Sequence, residues 1–261
     1  MPELQMRFDD GAAYERMMGV WTQIAGRTFL DWLAPAAGQR WLDVGCGNGA
    51  FTELLLARCA PSAVEGIDPS EAQLAFARTR PAGKVARFNR GDAMALPYEA
   101  DSFDASVMAL VIFFVPEPAR GVAEMVRVTR AGGSVSAYAW DVEGGGLPFA
   151  PVHNALRKMG FKPPLPPSLE ASRLESLRSL WADAGLVDIE TREIVASRTY
   201  VDFEDFWAIN VLSTSIRPMV ASMSSEEVNR LRTEVRASVS PDASGRIDCS
   251  ARANAVKGRV S

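Results

Sequence analysis

Three carboxylates and a glycine turn are the residues of this chain best suited to chemistry: Asp43, Gly45-Cys-Gly-Asn-Gly49, Asp68 and Asp92. Glycines placed directly after an apolar stretch let the backbone approach a ligand, because no side chain fills the space and φ can turn positive. If a helix follows, its first N–H groups lack intrahelical partners and favour a carboxylate or a phosphate. Asp68 ends the next apolar run, where an acid can accept hydrogen bonds from ribose hydroxyls. It also stands where it could cap a helix starting near Glu71. Asp92, within Gly91-Asp-Ala-Met-Ala-Leu-Pro97, can accept from an exocyclic amine, and the amide of Ala93 can bond a ring nitrogen. With Asp43 the site has three acids, which suits a ligand that carries a cation and lacks a pyrophosphate.

Two ligand readings fit the turn. Gly45 to Ala50 satisfies the dinucleotide fingerprint if Ala50 takes the third glycine place, and it equally satisfies G-x-G-x-G. Asp68 agrees with NAD and disfavours NADP, because a carboxylate repels a 2′-phosphate. No Tyr-x-x-x-Lys pair or histidine constellation follows, so an NAD-dependent oxidoreductase has its fingerprint without catalytic partners. The one histidine, His153, is a base candidate only if its segment covers the ligand; otherwise it reads as an exposed, incidental residue.

The elements that must position these residues follow from periodicity. Gly11 to Leu33 reads as a helix with Met17, Trp21, Ile24, Phe29 and Trp32 on one stripe, stopped by Pro35. Strands are expected at Arg40–Val44, Ser62–Ile67, Lys84–Asn89, Phe103–Val115 and through Trp140. Helices follow the glycine turn and cover Glu71–Arg78 and Pro116–Thr129. This alternation argues for a parallel sheet covered on both faces. After Asp141 the rhythm changes. A helix is expected at Ala171–Ala184, a strand at Val187–Tyr200, short helices across Phe203–Arg236 and a last strand at Arg246–Val256. The reading is a single domain, 1–261, with a helical cap at 1–38, a cofactor-binding core at 39–141 and lid or substrate insertions at 142–168 and 201–240.

Composition narrows the partners. With 48% hydrophobic and 23% charged residues, the 261-residue chain can bury a sizeable core. Its formal net charge of −4 gives no footprint for nucleic acid. The longest apolar run, Val107 to Val115, is too short to span a bilayer. The N-terminus has no basic region ahead of an apolar run, so no signal peptide is expected. Cys46, Cys59 and Cys249 lack metal-ligand spacing, so no metal is expected and they read as reduced thiols in a cytoplasm.

Leu42-Asp-Val-Gly-Cys-Gly-Asn-Gly49, Gly66-Ile-Asp-Pro-Ser70, Gly91-Asp-Ala-Met-Ala-Leu-Pro97 and Ser102-Phe-Asp104 resemble the ordered motifs of class I S-adenosylmethionine-dependent methyltransferases of the small-molecule, type 11-like kind. Tyr14-Glu-Arg-Met-Met-Gly-Val-Trp21 is similar to their capping helix, and Ser250 to Val256 to their last strand. The resemblance implies a Rossmann-like, mostly parallel sheet of seven strands with one antiparallel, helices on both faces and helical insertions in the C-terminal half. It also implies S-adenosylmethionine as cofactor and S-adenosylhomocysteine as product. Gly45 and Gly47, with Cys46 as a small filler between them, would approach the methionine part. Asp68, followed by Pro69, would take the ribose, and Asp92 with Ala93 the adenine. Leu110 would lie near the transferred methyl, with Tyr14 and Trp21 closing over the cofactor.

Many such relatives carry a histidine after the fourth strand, where this chain has Phe113. That departure puts a base from this strand in doubt and suggests an apolar acceptor pocket, with Phe149, Phe161, Phe203, Phe206 and Trp207 as its other walls. The chain also lacks the Asx-Pro-Pro-aromatic motif of nucleic-acid amino methyltransferases. A small-molecule methyl acceptor is therefore expected. An NAD-dependent oxidoreductase and a non-catalytic protein that binds the cofactor are the alternatives.

Overall fold

Short apolar runs that end in Asp or Gly, each followed by a helix, leave one solution for the first half of the chain: strands side by side and parallel, with helices crossing over them. The structure, a computed structural model, describes residue 12 and residues 15–261. Strand β1 (Arg40–Val44) pairs in parallel with β2 (Ala63–Asp68) on one side and β4 (Phe103–Ala109) on the other. Beyond β2 lies β3 (Arg87–Arg90), and beyond β4 lies β5 (Thr129–Trp140), both parallel. Strand β7 (Ile247–Arg259) runs antiparallel between β5 and β6 (Val187–Tyr200). The sheet therefore has seven strands in the order β3-β2-β1-β4-β5-β7-β6 with one reversed, as the motifs implied. The direction of winding switches between β1 and β4, so their C-terminal ends diverge and open a crevice.

Helices cover both faces. Tyr138 of β5 meets Phe29 of α1 (Val20–Leu33) and Phe51 of α2 (Ala50–Cys59), with ring centroids 4.7 and 5.8 Å away. Side chains three apart on a strand point oppositely, so Val135 and its partner Gly258 on β7 face the other way. There Trp181 of α6 (Leu174–Asp183) packs beside Gly258 and donates its indole N–H to the Val135 carbonyl at 2.9 Å. The remaining crossovers are α3 (Glu71–Thr79) and α4 (Pro118–Val128), the latter packed on β4, β5 and α6.

The later helices are α5 (Ala150–Lys158), before α6, and α7 (Phe203–Asn210), α8 (Arg217–Ser222) and α9 (Ser225–Ser238), all between β6 and β7. Helix α5 packs against α9 although some 70 residues separate them, because their connecting strands are neighbours through β7. A capping box at Ser224 and Glu227 starts α9.

Several boundaries differ from those expected. Helix α1 begins at Val20, after a π-helical turn at Glu15–Gly19. Strand β3 starts three residues late because Pro81–Lys84 forms a 3-10 turn. The run Phe103–Val115 is not one strand: β4 stops at Ala109, Leu110 adopts a left-handed φ of 64°, and Ile112–Phe114 form a 3-10 turn. An apolar run buried on all sides carries no periodicity that could mark that break. Among the described residues no helix is long and apolar enough to cross a membrane. Truncating Trp181 to Ala leaves a large cavity and an unanswered carbonyl, so a loss of ~3–5 kcal/mol is expected in urea unfolding. A loss below ~1 kcal/mol would mean that the second face is not packed as described.

Candidate functional site

The crevice at the switch point holds a cavity of about 310 Å³. It is lined by the four segments that leave the strand ends: Gly45–Asn48 after β1, Ile67–Ser70 at β2, Gly91–Met94 after β3 and Ala109–Val111 at β4. Gly45 has a φ of 75°, and a Cβ there would stand 2.4 Å from the Val111 side chain, so both conformation and space require glycine. Gly47, with φ 50°, faces emptiness: an added Cβ would meet only Gln73 Oε1, at 4.0 Å, and would take ligand space.

Asp68 ties two of these segments together. One carboxylate oxygen accepts the Gly47 N–H at 2.9 Å and the other the Ser70 N–H at 2.8 Å. Burial raises its pKa, against the lowering effect of these two amides. The capping role considered for Asp68 falls to Ser70, which accepts from Gln73 at the start of α3. Asp43 is fully buried beneath the turn. It accepts a 2.6 Å bond from the Thr52 hydroxyl, while its other oxygen has no hydrogen-bond partner. Burial, with a smaller contribution from nearby Asp68, pushes its carboxyl up to about 7, although the Thr52 bond lowers it. Asp92 is exposed at the cavity edge and accepts from the Met94 amide at 2.8 Å.

Behind the turn, Arg80 donates to the Asn48 carbonyl (2.6 Å) and pairs with Glu53 (2.7 Å) and with Glu15. Asn48 also donates to Glu15 at 2.7 Å. The N-terminal π-helical turn is thus anchored to the glycine turn through charge-assisted bonds, stronger than neutral ones.

Gly45, Cys46, Gly47, Asp68, Pro69, Asp92, Ala93 and Leu110 all line this cavity. Cys46 is buried, and burial with Asp43 and Asp68 nearby raises its thiol well above the usual value, which suits a filler and not a nucleophile. Tyr14 lies outside the described residues. Trp21 does not line the cavity. It is buried in the core, its N–H 3.3 Å from the Tyr200 hydroxyl and its ring edge-on to Trp140. Helical periodicity put it on the buried stripe but could not say what the stripe faces. Its neighbour Thr22, which sequence reasoning passed over, lines the cavity instead, as do Val111 and Phe114.

A second, smaller cavity of about 50 Å³ adjoins the first and shares Leu110 and Phe114 with it. Phe113 and Phe149 line it. Phe206 and Trp207 do not: Phe206 packs on Tyr200, and Trp207 stacks on Phe203. Phe161 and Phe203 are likewise outside it. His153, expected to be exposed, is only 3% accessible and lines this cavity. Its Nε2 lies 2.9 Å from the Ser215 hydroxyl, and burial pulls its pKa down to about 4.

A doubly wound sheet with a glycine turn and acids at its switch point is an α/β architecture with a ligand-sized crevice at its strand ends. Residues 42–137 match the methyltransferase domain family, and the fold is that of the class I S-adenosylmethionine-dependent methyltransferases. Similar proteins include the chloroplastic 2-methyl-6-phytyl-1,4-hydroquinone methyltransferase 2 of Oryza sativa subsp. japonica, 42% identical over 94 residues, which are 36% of this chain and 27% of that protein. The demethylmenaquinone methyltransferase of Clavibacter sepedonicus is 38% identical over 104 residues, 40% of this chain and 42% of that one. The chain thus spans less than half the length of these curated relatives. A putative methyltransferase from an antibiotic biosynthesis pathway of Anabaena variabilis superposes with a TM-score of 0.62 at 15% identity, over 90% of this chain and 98% of that one.

The lining fits S-adenosylmethionine on its own chemistry. Among the described residues it holds three acidic side chains, Asp43, Asp68 and Asp92, and no lysine or arginine. That balance favours a sulfonium and gives a pyrophosphate no counter-charge. It separates the methyltransferase reading from the NAD one.

The raised pKa of Asp43 makes a stability prediction without ligand. Its folded pKa lies near 7 against an ordinary 3.8, so the folded protein holds a proton that the unfolded chain releases. Stability from this group is full below pH 3.8 and is lost as pH rises towards 7. Asp43→Asn removes that loss, so its Tm relative to the parent should improve from pH 5 to pH 8 in a thermal melt. A constant difference would place the carboxylate in a wetter setting.

Proposed function

We propose that the protein transfers the methyl group of S-adenosylmethionine to a small, largely apolar acceptor of the hydroquinone kind. The observation that carries this reading is the junction of two unlike cavities at Leu110 and Phe114. One is carboxylate-lined and built on the glycine turn; the other is walled by Met17, Met18, Phe113, Trp140 and Phe149. The names of the two curated relatives, both acting on quinone-type rings, support an acceptor of that class.

Bound S-adenosylmethionine supplies an electrophilic methyl carbon on a good leaving group. The chain's part is to bind, orient and exclude water. In the best cases such positioning is worth ~7–11 kcal/mol of barrier. Gly45 and Gly47 would let the methionine end approach the backbone, with Asp43 near its charge. Asp68 would take the ribose and Asp92 with the Ala93 amide the adenine. Leu110, whose amide is held by the Tyr138 carbonyl at 2.8 Å, would mark the side where the methyl meets the acceptor. Helices α5 and α7–α9 would act as a lid that keeps the acceptor side dry.

Calorimetric titration tests the donor half. The parent should bind S-adenosylmethionine and S-adenosylhomocysteine. Asp68→Ala and Asp92→Ala should each weaken both by tenfold or more, while circular dichroism shows an intact fold. Binding of NAD alone, or unchanged affinity in both variants, would overturn the assignment.

A further inference from the structure

One polar cluster interrupts the apolar wall of the second cavity. His153 on α5 places Nε2 2.9 Å from Ser215 Oγ, and Ser215 Oγ lies 3.1 Å from Ser213 Oγ. All three side chains belong to residues no more than 3% exposed, and all three line the cavity. Burying polar groups in an otherwise apolar pocket is costly unless they are hydrogen-bonded, and these three side chains are bonded to one another.

The hydrogen bonds give the cluster a direction. Nδ1 of His153 is buried and has no hydrogen-bond partner. A neutral imidazole carries one N–H, and a bare nitrogen lone pair in a dry site is less costly than a stranded donor. The proton therefore sits on Nε2 and is donated to Ser215 Oγ. Ser213, 3.1 Å away on the other side, is placed to donate to the same oxygen. Either serine can be the donor of that contact. When Ser213 donates, the Ser215 oxygen accepts from both neighbours and its own hydrogen is free for a ligand in the cavity.

We propose that Ser215, held by His153 and Ser213, is the hydrogen-bond donor that fixes an oxygen of the methyl acceptor. The ligand is an apolar molecule bearing a phenol, enol or carbonyl oxygen. This deepens the proposed function and rests on it for the acceptor's reaction, though not for its binding. Leu110 and Phe114 stand between this cluster and the carboxylate-lined cavity, so the anchored oxygen is held at a distance from the transferred methyl. His153 is thus a positioning residue acting through Ser215. It takes no proton from the acceptor: the acceptor atom would bond the methyl carbon as the S–CH3 bond breaks, the sulfur keeping the electron pair, and the proton displaced from the acceptor would pass to water.

A pair of probes that differ only by the oxygen tests this: 4-methylphenol and toluene, titrated by ligand-observed NMR against the full chain saturated with S-adenosylhomocysteine. The parent should prefer 4-methylphenol by roughly three- to tenfold, the size of one net hydrogen bond. Ser215→Ala should bring the ratio to about one while leaving toluene and S-adenosylhomocysteine affinity unchanged. His153→Leu should lose most of the preference and His153→Gln, which keeps a donor, should restore it. A purely structural role would not produce that rescue. No preference in the parent, or an undiminished one in Ser215→Ala, overturns the proposal. Failure of S-adenosylhomocysteine to bind would sink the donor assignment instead, and the two probes still decide the anchor when titrated without it.

Discussion

The Asp68 carboxylate accepts amide hydrogens from Gly47 and Ser70 and thereby joins the turn after β1 to the turn after β2. Both turns line the cavity, and backbone bonding between them reaches only the start of the first, where the Gly45 and Cys46 amides donate to the Ile67 carbonyl at 2.7 and 3.0 Å. Without the carboxylate, the Gly47 amide would be left unpaired and the left-handed glycine turn would lose its brace. With it, the turn is held from the cavity side by Asp68 and from behind by Arg80, whose guanidinium bonds the Asn48 carbonyl. The N-terminal turn joins the same frame through Glu15. The ligand-facing backbone is therefore fixed before any ligand arrives, which lowers the ordering cost of binding.

The second constraint is a division of polarity at Leu110. Strand β4 ends one residue earlier, and the left-handed φ of Leu110 turns the chain away from the sheet. A non-glycine residue in that region is strained, and the bond to the Tyr138 carbonyl helps hold it there. On one side of this kink lie carboxylates, and on the other aromatic and methionine side chains. The proposed donor is charged and the proposed acceptor apolar; two such molecules would need different surroundings, and the kink would let both sit within one crevice.

Much of this was legible in the sequence because the information was local. Strand, glycine turn and helix from Arg40 to Cys59 follow from spacing alone, and the order of Asp43, Asp68 and Asp92 along successive strand ends puts them at one edge of a parallel sheet. What was not legible depended on contacts distant in sequence. Trp21 reads as well for a capping aromatic as for a core one, and only Tyr200 and Trp140, brought over by β6 and β5, decide for the core. His153 reads as exposed because nothing near it in sequence buries it; Ser215, 62 residues on, does so once α5 and the α7–α8 turn meet. The aromatic residues of the second insertion were expected to wall a pocket, yet Phe206 and Trp207 are used to hold that insertion to β6 and to itself.

The central claim is transfer of a methyl group across the Leu110 junction, and tritium at the methyl of S-adenosylmethionine follows it most directly. Incubation of the full chain with the labelled donor and reduced quinones, then extraction into organic solvent, should move label into the acceptor. It should do so far more slowly in Asp68→Ala. Tight binding of the donor with the label remaining in the aqueous phase for every apolar acceptor tried would contradict the account.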